Sequence, residues 1–321
     1  MSPLTPELEV LRARAARSLD RITPEQVVSA WRRVVGPRPE EMSADALAAK
    51  EALQNGEIPP PAQLQALEKV IRLLRPAPLA QRGQVGAIEH EAEASFPEWE
   101  AFRELVQPRL RAVGRIDGKD FRGGSYVRAS LATGFAAGPQ AVLTNWHVVD
   151  QLTAGSGVLD PDQAQIRFGE EFGPTPSLVA KITGVLASDP LRDLALLTTK
   201  ERLDQDPYGL TPIGSPTVAP DAGKPVAAVG YPMADSRAPD YVVGLFDNKY
   251  GVERVSPGVI IRTFGDAFMN DCSMLNGSSG SPLFDMVDGA FIGVHRGGLY
   301  LASNTAISGT TLSSFFADHL T

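Results

Sequence analysis

The chain has 321 residues, of which 43% are hydrophobic and 21% charged, a globular composition that excludes wholesale disorder and a coiled coil. A formal net charge of −8 argues against binding nucleic acid by neutralising its phosphates, and residues 1–112 are nearly neutral, so the acidity lies further on. No apolar run approaches the ~18 residues of a membrane span. The opening MSPLTPELEV carries charge where a secretory signal needs an apolar core. The single cysteine, Cys272, precludes an intramolecular disulfide and a cysteine zinc site, and the expected location is the cytoplasm.

Up to about residue 112 the punctuation is helical. Thr5-Pro6 sets a capping hydroxyl before a proline at the first helical position, and Leu8, Leu11, Ala15, Leu19 and Ile22 follow at helical spacing. Thr23-Pro24-Glu25-Gln26 repeats that start, with Val27, Val28, Trp31 and Val35 before a Gly36-Pro37 stop. A third helix is expected over residues 43–54, ended by Gly56. A fourth is expected over 61–75, with Leu64, Leu67, Val70, Ile71 and Leu74 on one face and Pro76 beyond. Short amphipathic helices bury their stripes only against one another or a partner, so residues 1–75 read as a helical bundle for recruitment or self-association. Residues 76–96 hold several breakers and read as a linker. A connecting helix follows over 97–113, carrying Trp99, Phe102, Leu105, Val106 and Leu110, with Pro108 bending it.

From residue 113 on, short strands alternate with Gly, Pro and Asp turns: residues 131–137, 141–144, 165–168, 194–198, 226–229, 259–263 and 290–295 are examples. Many short strands with few helices predict an all-β sandwich or barrel. A terminal helix fits residues 312–320.

Three segments carry chemistry. His147 stands in Thr144-Asn145-Trp146-His147-Val148-Val149, where a strand gives way to a turn. Asp193 opens the apolar strand Leu194-Ala195-Leu196-Leu197, and Ser279 lies in Asn276-Gly277-Ser278-Ser279-Gly280-Ser281-Pro282. Glycine ahead of a serine lets backbone N–H groups converge, so the amides of Gly277 and Ser279 can receive the oxygen that becomes negative in a tetrahedral intermediate. A serine hydroxyl needs a base; His147 is suited to that role, and Asp193 to fixing its tautomer and stabilising the imidazolium.

In that order and at those intervals, 46 and then 86 residues, the set resembles the trypsin/chymotrypsin superfamily of serine peptidases. It is most similar to the bacterial branch of disulfide-free trypsin-like peptidases and glutamyl endopeptidases, in which Ala132-Thr133-Gly134-Phe135 and Gly293-Val294-His295-Arg296-Gly297-Gly298 also match. The resemblance spans residues 113–321 and implies two six-stranded β-barrels of chymotrypsin type with the triad His147, Asp193 and Ser279 between them. It implies a protein or peptide substrate and no metal or organic cofactor. Where the digestive enzymes carry an aspartate before the nucleophile, this chain has Ser278, so an ion-pair activation switch is not expected.

By the same resemblance, Ser273, Met274, His295 and Gly298 line the pocket for the substrate side chain. His295 matches the glutamyl endopeptidases; Met274 does not, and it favours a medium apolar or polar side chain over a carboxylate. Cys272, with no basic neighbour, is read as a small buried hydrophobe, and His90 and His319 as solvated. A helical module ahead of such a domain resembles bacterial proteases with small helical adaptors, and regulation through it is expected. The alternative is a catalytically silent scaffold on the same fold, against which stands the retention of all three triad residue types.

Overall fold

The computed structural model describes residue 23 and residues 39–320 apart from 89, 94, 123–124, 161, 175, 217, 237, 239 and 300–302. The helices expected after Thr5 and after Thr23 lie outside them. The described chain starts with a helical hairpin, α1 (Pro39–Gln54) and α2 (Pro61–Leu73). The expected stripe of α2 (Leu64, Leu67, Val70, Ile71) is buried against Ala46 and Ala49 of α1, together with Leu74 just beyond the helix. Burying each such side chain contributes about 1.5–3 kcal/mol. Pro60 and Pro61 start α2 with φ preset, and Pro76 disfavours helix in the residue before it.

Residues 76–96 show more order than their breakers suggest. Pro76 and Pro78 keep the chain extended, and it runs as a strap beside the second barrel: Val255 N–H donates to Pro78 (3.0 Å) and Ala80 N–H to Glu253 (2.9 Å). A hairpin follows, β1 (Ala80–Gln81) with β2 (Gln84–Val85). Its two-residue turn, Arg82-Gly83, has positive φ at both positions (54° and 72°), the type I′ geometry that suits a tight hairpin. After a short helix, α3 (His90–Glu93), comes α4 (Trp99–Leu110), with Pro108 near its end. It buries Trp99, Phe102, Val106 and Leu110 in the main core, while Leu105 is exposed.

The remainder is mainly β. β3 (Val113–Arg122), β4 (Ser125–Gly138), β5 (Ala141–Thr144), β6 (Ala164–Phe168), β7 (Leu178–Asp189) and β8 (Leu194–Thr199) close an antiparallel barrel in the order β3-β4-β5-β8-β7-β6. Helix α5 (Trp146–Leu152) follows β5. A second barrel, ordered β10-β11-β14-β13-β12-β9, is built from β9 (Pro225–Gly230), β10 (Arg254–Phe264), β11 (Ala267–Asn270), β12 (Pro282–Asp285), β13 (Phe291–Leu299) and β14 (Ser303–Ser308). Helix α6 (Asp240–Leu245) lies between β9 and β10, and α7 (Gly309–His319) ends the fold. Closure leaves no unpaired barrel edge. The strands of continuous apolar sequence, such as β5 and β9, are buried throughout. Phe135 of the first barrel meets Phe291 of the second edge-on at 5.3 Å, so one core joins the two. No helix among the described residues is long and apolar enough to cross a membrane.

Candidate active site

The first barrel supplies an imidazole and a carboxylate. His147 sits in the first turn of α5, just after β5 ends. Its backbone N–H donates to Asp193 Oδ1 (2.8 Å), and its ring Nδ1 lies 2.8 Å from Asp193 Oδ2. Each carboxylate oxygen thus meets His147, which sets the ring's orientation as well as its position. Asp193 is buried and holds φ at 60°, a left-handed backbone that costs on the order of 1–3 kcal/mol in a non-glycine residue. Asn145 Nδ2 donates to its carbonyl (3.1 Å) and steadies that turn.

The second barrel supplies the hydroxyl. Ser279 Oγ lies 2.9 Å from His147 Nε2, on the ring edge opposite Asp193. Ser279 belongs to the irregular stretch 271–279 that leads to β12. Gly277 has φ 85°, and a Cβ there would lie 2.5 Å from Met233 Cγ and 2.6 Å from the Tyr231 carbonyl oxygen. Gly280, at the same φ, would press a Cβ against the Thr133 carbonyl oxygen at 2.1 Å. Only glycine fits either place. Among the described residues, neither the Gly277 nor the Ser279 amide N–H has an acceptor, whereas those of Ser278 and Gly280 donate to Leu275 and His295.

Thr133, noted in the sequence only as part of a matching tetrapeptide, ties the two barrels at this point. Its hydroxyl donates to the Gly277 carbonyl (2.8 Å) and accepts from Tyr231 N–H (3.0 Å), and its N–H donates to the Ser279 carbonyl (2.9 Å). Its own carbonyl accepts from Thr144 Oγ1 (2.8 Å). Arg296 likewise entered the sequence reading only within a matching segment, with no role given: its Nε lies 3.5 Å from Asp193 Oδ2.

A cleft of about 730 Å³ contains Ser279 and His147 and is lined by Met274, Gly277, His295 and Gly298. Ser273 is not part of that lining; its hydroxyl donates to the Arg75 carbonyl (2.6 Å), behind the cleft wall. His295 is buried, with Nδ1 lacking a hydrogen-bond partner among the described residues. Burial, and secondarily the nearby His147, pull its pKa down to about 3, so it faces the cleft as a neutral ring. Cys272 is buried, and burial pushes its thiol well up, leaving it a small apolar filler. His319 is exposed at the end of α7. Arg72, on α2, also lines the cleft, a contribution from the helical hairpin that no motif announced.

A profile of the trypsin-like peptidase domain matches residues 132–294, just over half of the chain. The chain therefore belongs to the trypsin-like peptidase family, within the trypsin/chymotrypsin superfamily. No curated protein matches. Among solved structures, the active form of the Rv3671c protease from M. tuberculosis is similar at 18% identity and TM-score 0.47, over 67% of this chain and 83% of that one. The serine endoprotease from Yersinia pestis is similar at 20% identity and TM-score 0.46, over 68% and 66%.

Proposed function

We propose that the chain is a serine endopeptidase, with Ser279 as nucleophile, His147 as general base and then general acid, and Asp193 as the group that orients His147. The observation that carries this is the continuous contact from Ser279 Oγ to His147 Nε2 (2.9 Å) and from His147 Nδ1 to Asp193 Oδ2 (2.8 Å). An ionised Asp193 only accepts, so Nδ1 carries the proton and the Nε2 lone pair faces the serine. As Oγ attacks a peptide carbonyl, its proton passes to Nε2, and the imidazolium formed is held against Asp193. The carbonyl oxygen, now negative, is received by the amides of Gly277 and Ser279. The proton then moves from Nε2 to the leaving amine as the C–N bond breaks, and water repeats the cycle to release the acyl group.

Met274, His295 and Gly298 shape the pocket for the substrate side chain in this reading. A neutral His295 attracts no carboxylate by charge, and Met274 adds apolar surface, so the preferred side chain is a medium-sized apolar or uncharged polar one. Residues 1–75 form the regulatory module, 76–112 the connection and 113–321 the peptidase. The buried thiol of Cys272 is consistent with work in the cytoplasm.

Fluorophosphonate labelling and peptide cleavage test the assignment. Wild-type protein should take the label and Ser279→Ala should not, with cleavage down roughly 10⁴-fold or more. Equal labelling of the two would refute Ser279 as the nucleophile, and a wild type that neither labels nor cleaves would favour the silent-scaffold alternative. Deleting residues 1–38, which leaves the described hairpin in place, should keep cleavage and alter the mass seen by light scattering or the proteins that co-purify. No change in either would reduce the module to a spacer.

A further inference from the structure

Arg75 lies outside residues 132–294, yet it is tied into the stretch that carries Ser279. Its Nη2 is 3.0 Å from Asp271 Oδ2, with side-chain exposures of 2% and 1%, and its carbonyl accepts the Ser273 hydroxyl at 2.6 Å. The Phe96 ring lies 5.0 Å below its guanidinium. Asp271 is fixed from the other side as well, since its Oδ1 accepts from Val259 N–H (2.6 Å).

Residues 271–279 form no helix or strand, so tethers set their course. Asn304 Nδ2 donates to the Cys272 carbonyl (2.6 Å), and Met233 N–H to that of Asn276 (2.6 Å). The two links to Arg75 hold the upstream end. Immediately downstream, Met274, Leu275, Asn276, Gly277 and Ser279 line the cleft, and Leu275 packs in one cluster with Ala77 of the strap. Arg72, one helical turn before Arg75, lines the same cleft. A buried ion pair repays its desolvation poorly as a source of stability; what this one does well is fix the direction of the chain leaving Asp271.

We propose that Arg75 is a positioning residue for the peptidase reaction. Through Asp271 and Ser273 it holds residues 274–279 so that the Gly277 and Ser279 amides and the Ser279 hydroxyl keep their places. With Arg72 in the cleft wall, the α1–α2 hairpin is a working part of the substrate site, and anything that lifts it from the second barrel lowers turnover. The proposal rests on the peptidase reading above.

The test uses the full chain: wild type, Ser279→Ala, Arg75→Met, Arg75→Lys and Ser273→Ala, compared at a temperature where circular dichroism shows each one folded. Arg75→Met should lower kcat and the fluorophosphonate labelling rate together by about tenfold or more, because displacements near 1 Å cost that much in a preorganised site. Arg75→Lys, which keeps the charge, should recover part of the loss. A folded Arg75→Met whose kcat and labelling rate stay within about twofold of wild type overturns the proposal, even if its melting temperature falls. Should Arg75→Met fail to fold, Ser273→Ala removes one oxygen from the second tether and should cost about threefold or more in kcat; unchanged kcat there overturns it equally. Wild type and Ser279→Ala that label alike would instead remove the peptidase reading, and this proposal with it.

Discussion

Arg296 Nε lies 3.5 Å from Asp193 Oδ2, the same oxygen that faces His147 Nδ1 at 2.8 Å. A guanidinium from the second barrel thus braces a carboxylate carried by the first. The arginine side chain is 47% exposed, so the contact is weak and screened by salt. Arg296→Gln should lower kcat about two- to fivefold at low ionic strength, and the gap should close near 1 M salt. Steady-state kinetics across a salt series decides it: a gap that persists at high salt means the contact is not electrostatic.

Thr133 carries three of the hydrogen bonds that join the first barrel to the stretch holding Gly277 and Ser279 and to its neighbour Tyr231. Thr133→Val keeps the shape and strands the Gly277 carbonyl and Tyr231 N–H in a buried place. Stability should drop by about 1–3 kcal/mol, and kcat by roughly tenfold or more with KM little changed. Urea unfolding and kinetics on the same preparation check both; intact kcat would show that Thr133 only stabilises.

Gly277 leaves no room for a side chain, with φ at 85° and Met233 Cγ 2.5 Å from the place a Cβ would take. Gly277→Ala should turn or displace its N–H and cost about 2.7–4 kcal/mol of transition-state stabilisation, roughly 10²–10³-fold in kcat. Peptide hydrolysis measured at saturating substrate reads this directly, and a loss below tenfold would refute the proposed oxyanion role of the Gly277 amide.

His295 has its pKa pulled from an ordinary 6.5 to about 3, and this sets a pH dependence of stability. Below about pH 6.5 the unfolded chain takes up a proton at this ring that the folded protein refuses until near pH 3. Protons therefore favour unfolding across that window, and stability falls as pH falls, by a few kcal/mol in total. His295→Gln removes the effect. The melting temperature of that variant relative to wild type should rise steadily from pH 7 to pH 4; parallel curves would mean the ring is not kept neutral by burial.

The strands of apolar sequence were legible because a run such as Leu194-Ala195-Leu196-Leu197 has only one use, burial. β3 and β7 were not, since Val113–Arg122 and Leu178–Asp189 carry charges and glycines. They become strands because neighbours on both sides pair with them. The strap at 76–80 was hidden for a related reason. Prolines that read as breakers fix an extended backbone, and whether that segment wanders or docks depends on the partner groups offered by Glu253 and Val255.

What the sequence determined by itself is the chemistry within reach: one histidine, one aspartate and one serine, each in a local motif that shapes its own few residues of backbone. Local spacing also determined α2 and its apolar face. Only the tertiary structure decided which groups from distant segments meet. Thr133 beneath Gly277, Arg296 beside Asp193 and Arg75 behind Ser273 are contacts between elements far apart in the chain, and no periodicity encodes them. Ser273 shows the same limit from the other side: its place in the chain beside the pocket was plain, but its hydroxyl went to the Arg75 carbonyl, because a buried donor takes the nearest acceptor the fold provides.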